Sequence, residues 1–160
     1  MRLLLPWLND PRTLRLKWPN DLLLDGAKLG GILIEAGRTN DGVRAWAVAG
    51  IGVNVVSAPE DAGQPAVALA THARSLPPVE ALARGIVRRL QDWSTRLATG
   101  GLAAVLPAWQ RFAIEPGTAL TIRMGETTLE GSYLGVDADG ALLLQTSDGA
   151  RRSVIAGEVL

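Results

Sequence analysis

Two polar residues stand at a corner from which they could contact a nucleotide. Pro19 ends an alternating segment and fixes the chain, so Asn20 and Asp21 project from a rigid position. An amide and a carboxylate held there could bind a nucleotide or its metal ion. They could equally satisfy their own backbone in an Asx turn. Both interpretations stay open on these residues alone.

A lysine close by could bind an anion. Lys28 follows the turn signal Asp25-Gly26, and strict alternation predicts that it shares a strand face with Gly30. A lysine beside bare glycine backbone can approach a phosphate or a carboxylate closely, although an exposed lysine at a strand end is the alternative. Only Lys17 and Lys28 among the 16 basic residues are lysine. A compact ammonium can serve where a planar guanidinium cannot, but codon bias would give the same count.

A third candidate feature lies in the apolar run 43–55. Its odd positions are all apolar, which suits packing on a helical layer, whereas its even positions end in Gly50, Gly52 and Asn54. Bare backbone followed by one amide indicates either the close approach of a ligand or a glycine bulge at a sheet corner.

These residues need a sheet and helices to position them. Alternation and turn residues predict an antiparallel meander over 13–55, followed by a loop over 56–65. Helical segments are expected at 66–74, at 79–97 with Trp93 in the core, and at 102–112 with a break at Pro107.

The character of the chain changes near residue 114. Four short strands, 118–123, 128–136, 141–146 and 151–155, predict a small barrel or meander. We therefore expect domains at 1–113 and 114–160. The predicted fold class is α+β, with an antiparallel or mixed sheet backed by helices and then a small β-barrel.

The composition excludes several functional classes. The chain has no cysteine and one histidine, His72, so thiolate chemistry, Cys-ligated zinc and a histidine cluster are excluded. Sixteen basic and sixteen acidic residues give a net charge of zero, which argues against nucleic acid or a membrane surface as a partner. No apolar run approaches the ~18–20 residues of a membrane span, and no signal-peptide cleavage pattern is present. The expected location is the cytoplasm.

Three strings of residues together resemble a known family. They are Lys17-Trp18-Pro19-Asn20-Asp21, Lys28-Leu29-Gly30-Gly31-Ile32-Leu33-Ile34-Glu35 and Gly50-Ile51-Gly52-Val53-Asn54. In this order and spacing they resemble the biotin protein ligases, or biotin–[acetyl-CoA-carboxylase] ligases. The resemblance covers residues 10–160. It implies the C-terminal part of a catalytic domain like those of class II synthetases, followed by an SH3-like β-barrel.

The resemblance implies a two-step acyl transfer that uses ATP and Mg²⁺, with biotin as substrate. The biotin carboxylate attacks the α-phosphorus of ATP, which gives biotinyl-5′-AMP and pyrophosphate. A lysine of the biotin carboxyl carrier protein of acetyl-CoA carboxylase then takes the biotinyl group and releases AMP.

The family's pattern also implies roles for single residues. Lys28 is the expected catalytic residue, in contact with the biotin carboxylate and the α-phosphate. Biotin is expected to lie along Gly30, Gly31 and Ile32. The nucleotide is expected at Asn20, Asp21, Gly52 and Asn54, with Asp21 also a candidate metal ligand.

The chain departs from the family upstream of these strings. Family members carry an Arg/Gly-rich loop and biotin-ring contacts there, whereas only 16 residues precede Lys17. We therefore expect the N-terminal part of the catalytic domain to be missing. One alternative is a non-catalytic remnant that binds a protein partner, such as the carrier protein or a second ligase subunit in a homodimer, through an exposed sheet edge. Another is a relative of the lipoate ligases.

Overall fold

The first half of the chain forms an antiparallel sheet. The computed structural model describes residues 3–40, 42–43, 45–61 and 63–160. The strands run in the order β1-β2-β3-β4, which confirms the predicted meander. They are β1 (Leu14–Lys17), β2 (Asp21–Leu24), β3 (Ala27–Arg38) and β4 (Ala45–Val53).

A tight turn and a bulge join β2 to β3. Asp25 and Gly26 both have positive φ, 51° and 80°, as a two-residue hairpin turn of this twist requires. The register then slips, because Leu22 pairs with Gly30 whereas Leu23 pairs with Lys28. Residue 29 is therefore an extra residue on β3.

The bulge decides which face of the sheet carries Lys28. Directly opposed residues of an antiparallel pair point to the same face. Asp21 pairs with Gly31 and Leu23 pairs with Lys28, so Lys28 and Gly31 share the face that carries Asp21. The prediction that Lys28 shares a face with Gly30 was wrong, since strict alternation does not hold across a bulge.

The opposite face of this sheet is buried beneath the helical layer. Leu14, Leu24 and Leu29 have no exposed surface. They pack with residues of the N-terminal segment, of the segment after β4 and of helix α1 (Val79–Gly100). These are Leu4, Leu8, Leu69 and Leu82.

The observed helices agree only in part with those predicted from the sequence. Helix α1 confirms the predicted amphipathic segment, but Trp93 is half-buried beneath the guanidinium of Arg96 and lies outside the core, contrary to prediction. The predicted helix over 66–74 is reduced to a 3₁₀ turn at Leu69–Thr71. The predicted segment 102–112 is divided, as expected, into a 3₁₀ turn at Leu102–Ala104 and helix α2 (Leu106–Gln110), with Pro107 in the first turn of α2. None of the helices formed by the described residues is long and apolar enough to cross a membrane.

The segment 66–70 has a physical reason to remain non-helical. Its backbone amides donate to carbonyls at the ends of β3 and β4: Val67 to Lys28 at 2.9 Å and Leu69 to Asn54 at 2.8 Å. Hydrogen bonds to neighbouring backbone thus replace the local ones of a helix.

Residues 119–159 form a five-stranded SH3-like domain with the strand order β8-β7-β6-β5-β9. The four predicted strands are confirmed, and a short fifth strand near the end was not predicted. Its core includes Ile122, Tyr133, Leu142 and Leu144. The strands are β5 (Ala119–Met124), β6 (Thr127–Val136), β7 (Leu142–Gln145), β8 (Arg151–Val154) and β9 (Glu158–Val159).

The two sheets share one hydrophobic core. Trp18 and Leu23 pack with buried residues of the SH3-like domain, and the Trp18 indole nitrogen donates to the Gly140 carbonyl at 3.1 Å. The connecting segment also pairs with β1, since Leu16 donates to the Phe112 carbonyl at 2.7 Å. The domain limit at 113/114 stays a prediction, because the core runs across it.

The outer part of the β3–β4 hairpin exposes apolar side chains on both faces. β4 is the last strand in the sheet order among the described residues. An apolar edge strand of this kind favours contact with another chain. The exposed residues include Ile32, Leu33, Ile34, Trp46 and Val48.

A matched pair of glycine substitutions tests the close packing of β3 on β4. A Cβ at Gly30 would lie 2.1 Å from the Gly52 carbonyl oxygen, whereas a Cβ at Gly52 would meet nothing within 4 Å. We expect Gly30→Ala to lower the free energy of unfolding by about 3 kcal/mol or more, because backbone must shift. Gly52→Ala should stay within about 0.5 kcal/mol of the parent. Urea denaturation measures both, and equal losses would contradict this packing.

Candidate active site

The corner between β1 and β2 is fastened onto β3. The Trp18–Pro19 peptide bond is cis, and the amide of Ile32 donates to the Asn20 carbonyl at 3.0 Å. Lys17 and Asp21, on either side of the corner, are paired in the strand register. This register places the side chains of Lys17 and Asp21 on one face of the sheet, the face that also carries Lys28.

The centre of the site is a carboxylate between two ammonium groups. Asp21 Oδ1 lies 2.6 Å from Lys28 Nζ, and Asp21 Oδ2 lies 3.4 Å from Lys17 Nζ. The side chains of Asp21 and Lys17 are 9% and 11% exposed, whereas that of Lys28 is 32% exposed. Two cations face one anion, so the surplus positive charge is accessible at Lys28.

Lys17 has an acceptor for each of its three ammonium protons. Besides Asp21, its Nζ donates to Gln64 Oε1 at 3.0 Å and to the Val159 carbonyl at 3.2 Å. Sequence reasoning did not select Lys17 or Gln64 as site residues. The rarity of lysine was the available signal, because both lysines of the chain contact the same carboxylate.

These groups line a cleft of about 290 Å³ between the two sheets. Asn20, Asp21 and Lys28, all predicted from the sequence, lie in its walls. A larger and shallower depression of about 590 Å³ lies on the SH3-like domain and contains none of the predicted site residues. The lining of the cleft is Lys17, Trp18, Pro19, Asn20, Asp21, Lys28, Gln64, Gly157, Glu158 and Val159.

Bare strand backbone adjoins the accessible lysine. A Cβ at Gly31 would lie 3.4 Å from Asp21 Oδ1 and 3.7 Å from Lys28 Cε. Gly52 stands opposite Gly31 in the register, with open space where its Cβ would be. A ligand can therefore approach the backbone beside Lys28 more closely than side chains would allow.

Five predicted site residues are not part of the cleft lining: Gly31 and Gly52, which adjoin it, and Gly30, Ile32 and Asn54. Gly30 is buried against the carbonyl of Gly52. Ile32 follows Gly31 on the strand, so its side chain, 42% exposed, points to the opposite face. The Asn54 amide nitrogen donates to the Val67 carbonyl at 3.2 Å and to the Lys28 carbonyl at 3.4 Å. The roles predicted for these residues stay predictions.

The residues at the cleft do not fit a protein-held Mg²⁺. Both carboxylate oxygens of Asp21 already face ammonium groups, and Glu158 forms an ion pair with Arg123. Within the described ranges, no group of three or more His, Cys, Asp or Glu side chains could hold a metal ion. Asp21 is therefore better described as a partner of lysines than as a metal ligand.

Two groups with a shifted pKa, the Asp10 carboxyl and the Tyr133 phenol, lie away from the cleft. Hydrogen bonds from Arg12 hold the pKa of the Asp10 carboxyl at about 2, and burial raises the pKa of the Tyr133 phenol in the SH3-like core. Neither group lines the cleft. The charged residues that line the cleft are Lys17, Asp21, Lys28 and Glu158, of which Glu158 is paired with Arg123.

An Asp→Asn pair tests the energetic weight of this cluster. Asp21→Asn leaves the buried ammonium of Lys17 without a carboxylate, so we expect a loss of about 3 kcal/mol in the free energy of unfolding. Asp92→Asn removes an exposed partner of Arg89 and should cost less than about 0.5 kcal/mol. Urea denaturation compares the two. A loss for Asp21→Asn as small as that of the control would show that the cluster contributes little.

Comparisons with known proteins agree at both ends of the chain. The model "Biotin/lipoate A/B protein ligase family" matches residues 11–54, and "Biotin protein ligase C terminal domain" matches residues 117–160. The chain is 35% identical over 151 residues to a biotin--[acetyl-CoA-carboxylase] ligase of Paracoccus denitrificans, covering 91% of this chain and 62% of that protein. It is 31% identical over 145 residues to the bifunctional ligase/repressor BirA of Bacillus subtilis, covering 86% of this chain and 43% of that protein.

The fold agrees as well. The biotin protein ligase from Aquifex aeolicus, solved in complex with biotin and ATP, superposes with a TM-score of 0.75 at 21% identity, over 92% of this chain and 61% of that one. This chain spans less than two thirds of the length of each of these proteins. The names of the relatives support the biotin ligase interpretation and give no support to the remnant or lipoate alternatives. With matching family models at both ends, relatives at 31–35% identity and the same fold, the chain is similar to the biotin protein ligases over most of its length.

Proposed function

We propose that this chain is part of a cytoplasmic, ATP-dependent biotin–[acetyl-CoA-carboxylase] ligase. It activates biotin to biotinyl-5′-AMP and transfers the biotinyl group to a lysine of a biotin carboxyl carrier protein. The observation that carries the proposal is the accessible ammonium of Lys28, held by Asp21 at 2.6 Å beside the bare backbone of Gly31. The named activity of the Paracoccus relative supports it.

The first step places negative charge where Lys28 can oppose it. A carboxylate oxygen of biotin bonds to the α-phosphorus of ATP, and the bond from that phosphorus to the pyrophosphate oxygen breaks. Charge accumulates on the α-phosphoryl oxygens as this happens. A fixed ammonium beside them lowers the barrier, because it is already oriented when the charge develops.

The second step uses the same cation on the leaving group. The amine of the carrier lysine bonds to the biotinyl carbonyl carbon, the bond from carbon to the AMP oxygen breaks, and the amine loses a proton. Lys28 stabilises the negative charge of the departing AMP phosphate. The amino acid residues proposed around biotin are Gly30, Gly31 and Ile32, and those proposed around the nucleotide are Asn20, Asp21, Gly52 and Asn54.

The metal and the protein partners are also proposals. Because both carboxylate oxygens of Asp21 face lysines, any Mg²⁺ would enter with the nucleotide and would offset part of its negative charge. The acceptor is proposed to be the carrier protein of acetyl-CoA carboxylase. The apolar edge strand β4, which includes Trp46 and Val48, supports a second copy of the chain as a further partner.

Replacing Lys28 tests the proposed anion site. Lys28→Met should weaken the binding of biotinyl-5′-AMP about tenfold to a hundredfold, since a charge-assisted hydrogen bond to the phosphate is lost. Arg89→Met removes an exposed cation outside the cleft and should leave the affinity unchanged. Isothermal calorimetry of the folded chain measures both. If the folded parent chain does not bind the adenylate, or if Lys28→Met binds it as well as the parent, the proposal is wrong.

A second glycine pair tests the proposed approach along bare backbone. A methyl group at Gly31 would stand beside Asp21 and Lys28, so Gly31→Ala should weaken adenylate binding at least about tenfold. Gly50 lies two residues before Gly52, on the same face of β4. A Cβ at Gly50 would lie 3.8 Å from the Leu33 carbonyl oxygen, an ordinary contact distance. Gly50→Ala is the control and should bind as the parent does. Equal affinities of the two variants would remove Gly31 from the binding surface.

A further inference from the structure

Lys17 connects the candidate active site to the last strand of the SH3-like domain. Its ammonium contacts Asp21 in β2, Gln64 in the loop after β4 and the Val159 carbonyl in β9. The Lys17 side chain is only 11% exposed, so these contacts are shielded from water. A buried ammonium with three acceptors has one position that satisfies all of them.

The position of Lys17 restricts the carboxylate of Asp21. The strand register fixes the Asp21 backbone, but the side chain could still rotate about χ1 and χ2. Lys17 holds Oδ2 and leaves Oδ1 directed at Lys28. The orientation of the accessible ammonium of Lys28 thus depends on the largely buried ammonium of Lys17.

We propose that Lys17 is a positioning residue, which fixes Asp21 so that Asp21 can hold Lys28. Through the Val159 carbonyl it also makes this orientation depend on the folded SH3-like domain. The use of the oriented Lys28 to bind an anion rests on the proposed function, whereas its orientation by Asp21 and Lys17 rests on the contacts described above. Lys17 is not proposed to touch substrate.

The choice of lysine at this position has a physical reason. The chain uses arginine at 14 of its 16 basic positions. A planar guanidinium presents its donors in a fixed fork, whereas an ammonium is a compact point charge with three donors around it. The acceptors at Lys17 lie in three different elements, an arrangement that suits the ammonium.

The chain offers an unusually simple spectroscopic test. Because it has only two lysines, labelling with ¹³Cε-lysine gives two side-chain signals, and Lys17→Met leaves the signal of Lys28 alone. We expect that signal to report an ordered side chain in the parent and a mobile one in Lys17→Met, with an order parameter below about 0.6. If Lys28 stays as ordered in the folded variant as in the parent, the proposal is wrong.

Arg15→Met is the matched control. Arg15 lies two residues before Lys17, on the same strand and face, and pairs with Glu115 at 2.9 Å. This pair also connects β1 to the segment that leads into the SH3-like domain, but it does not touch Asp21. The order of Lys28 should therefore be unchanged in Arg15→Met. A similar loss of order in both variants would indicate general loosening and would overturn the specific role of Lys17.

A second variant covers the outcome that Lys17→Met does not fold. Lys28→Met leaves Lys17 as the sole lysine and removes only a partly exposed side chain. The ammonium protons of Lys17 should then exchange slowly with water, as expected for a buried group with three acceptors. Fast exchange, as in an exposed lysine, would overturn the proposal.

Adenylate binding separates this inference from the proposed function. If the proposed function holds, Lys17→Met should weaken biotinyl-5′-AMP binding about tenfold to a hundredfold, since small misplacements of a charged group have effects of this size. If the parent chain does not bind the adenylate, the proposed function fails, and the order of Lys28 still decides the role of Lys17.

Discussion

The carboxylate of Asp21 is the group on which the site depends. It is buried, so it requires compensation by opposite charge, and the two lysines of the chain supply it. One of them is itself buried and is satisfied by a loop and by the last strand. The interaction therefore joins β1, β2, β3 and β9 around one anion. The single accessible cation of this cluster faces a cleft between the two sheets.

Much of the fold follows from local sequence features. The meander and the SH3-like strands were predictable, because alternation and turn residues such as Asp25-Gly26 act over a few positions. The bulge at residue 29 was not, since a one-residue slip leaves no mark in composition. The helix predicted over 66–74 failed for a related reason. Its backbone bonds to strands that are distant in sequence, and helical propensity does not describe that competition.

The site was predictable where it is continuous in sequence. Two short sequence motifs contain Asn20, Asp21 and Lys28. The structure brings these three residues to one cleft. Lys17 was missed because its partners at Gln64 and Val159 lie far along the chain. No spacing rule connects such positions. Only the scarcity of lysine pointed to it.

The hydrogen bond between Lys17 and Val159 spans 142 residues. During synthesis Lys17 is made 142 residues before its carbonyl partner. The nascent sheet β1–β4 therefore lacks the acceptor that completes the cleft until β9 has been made. Bringing together residues this far apart in sequence also costs chain entropy, which slows folding. Assembly of the cleft thus reports that the SH3-like domain has folded and docked, and a chain interrupted before β9 carries Lys17 without its acceptor at Val159.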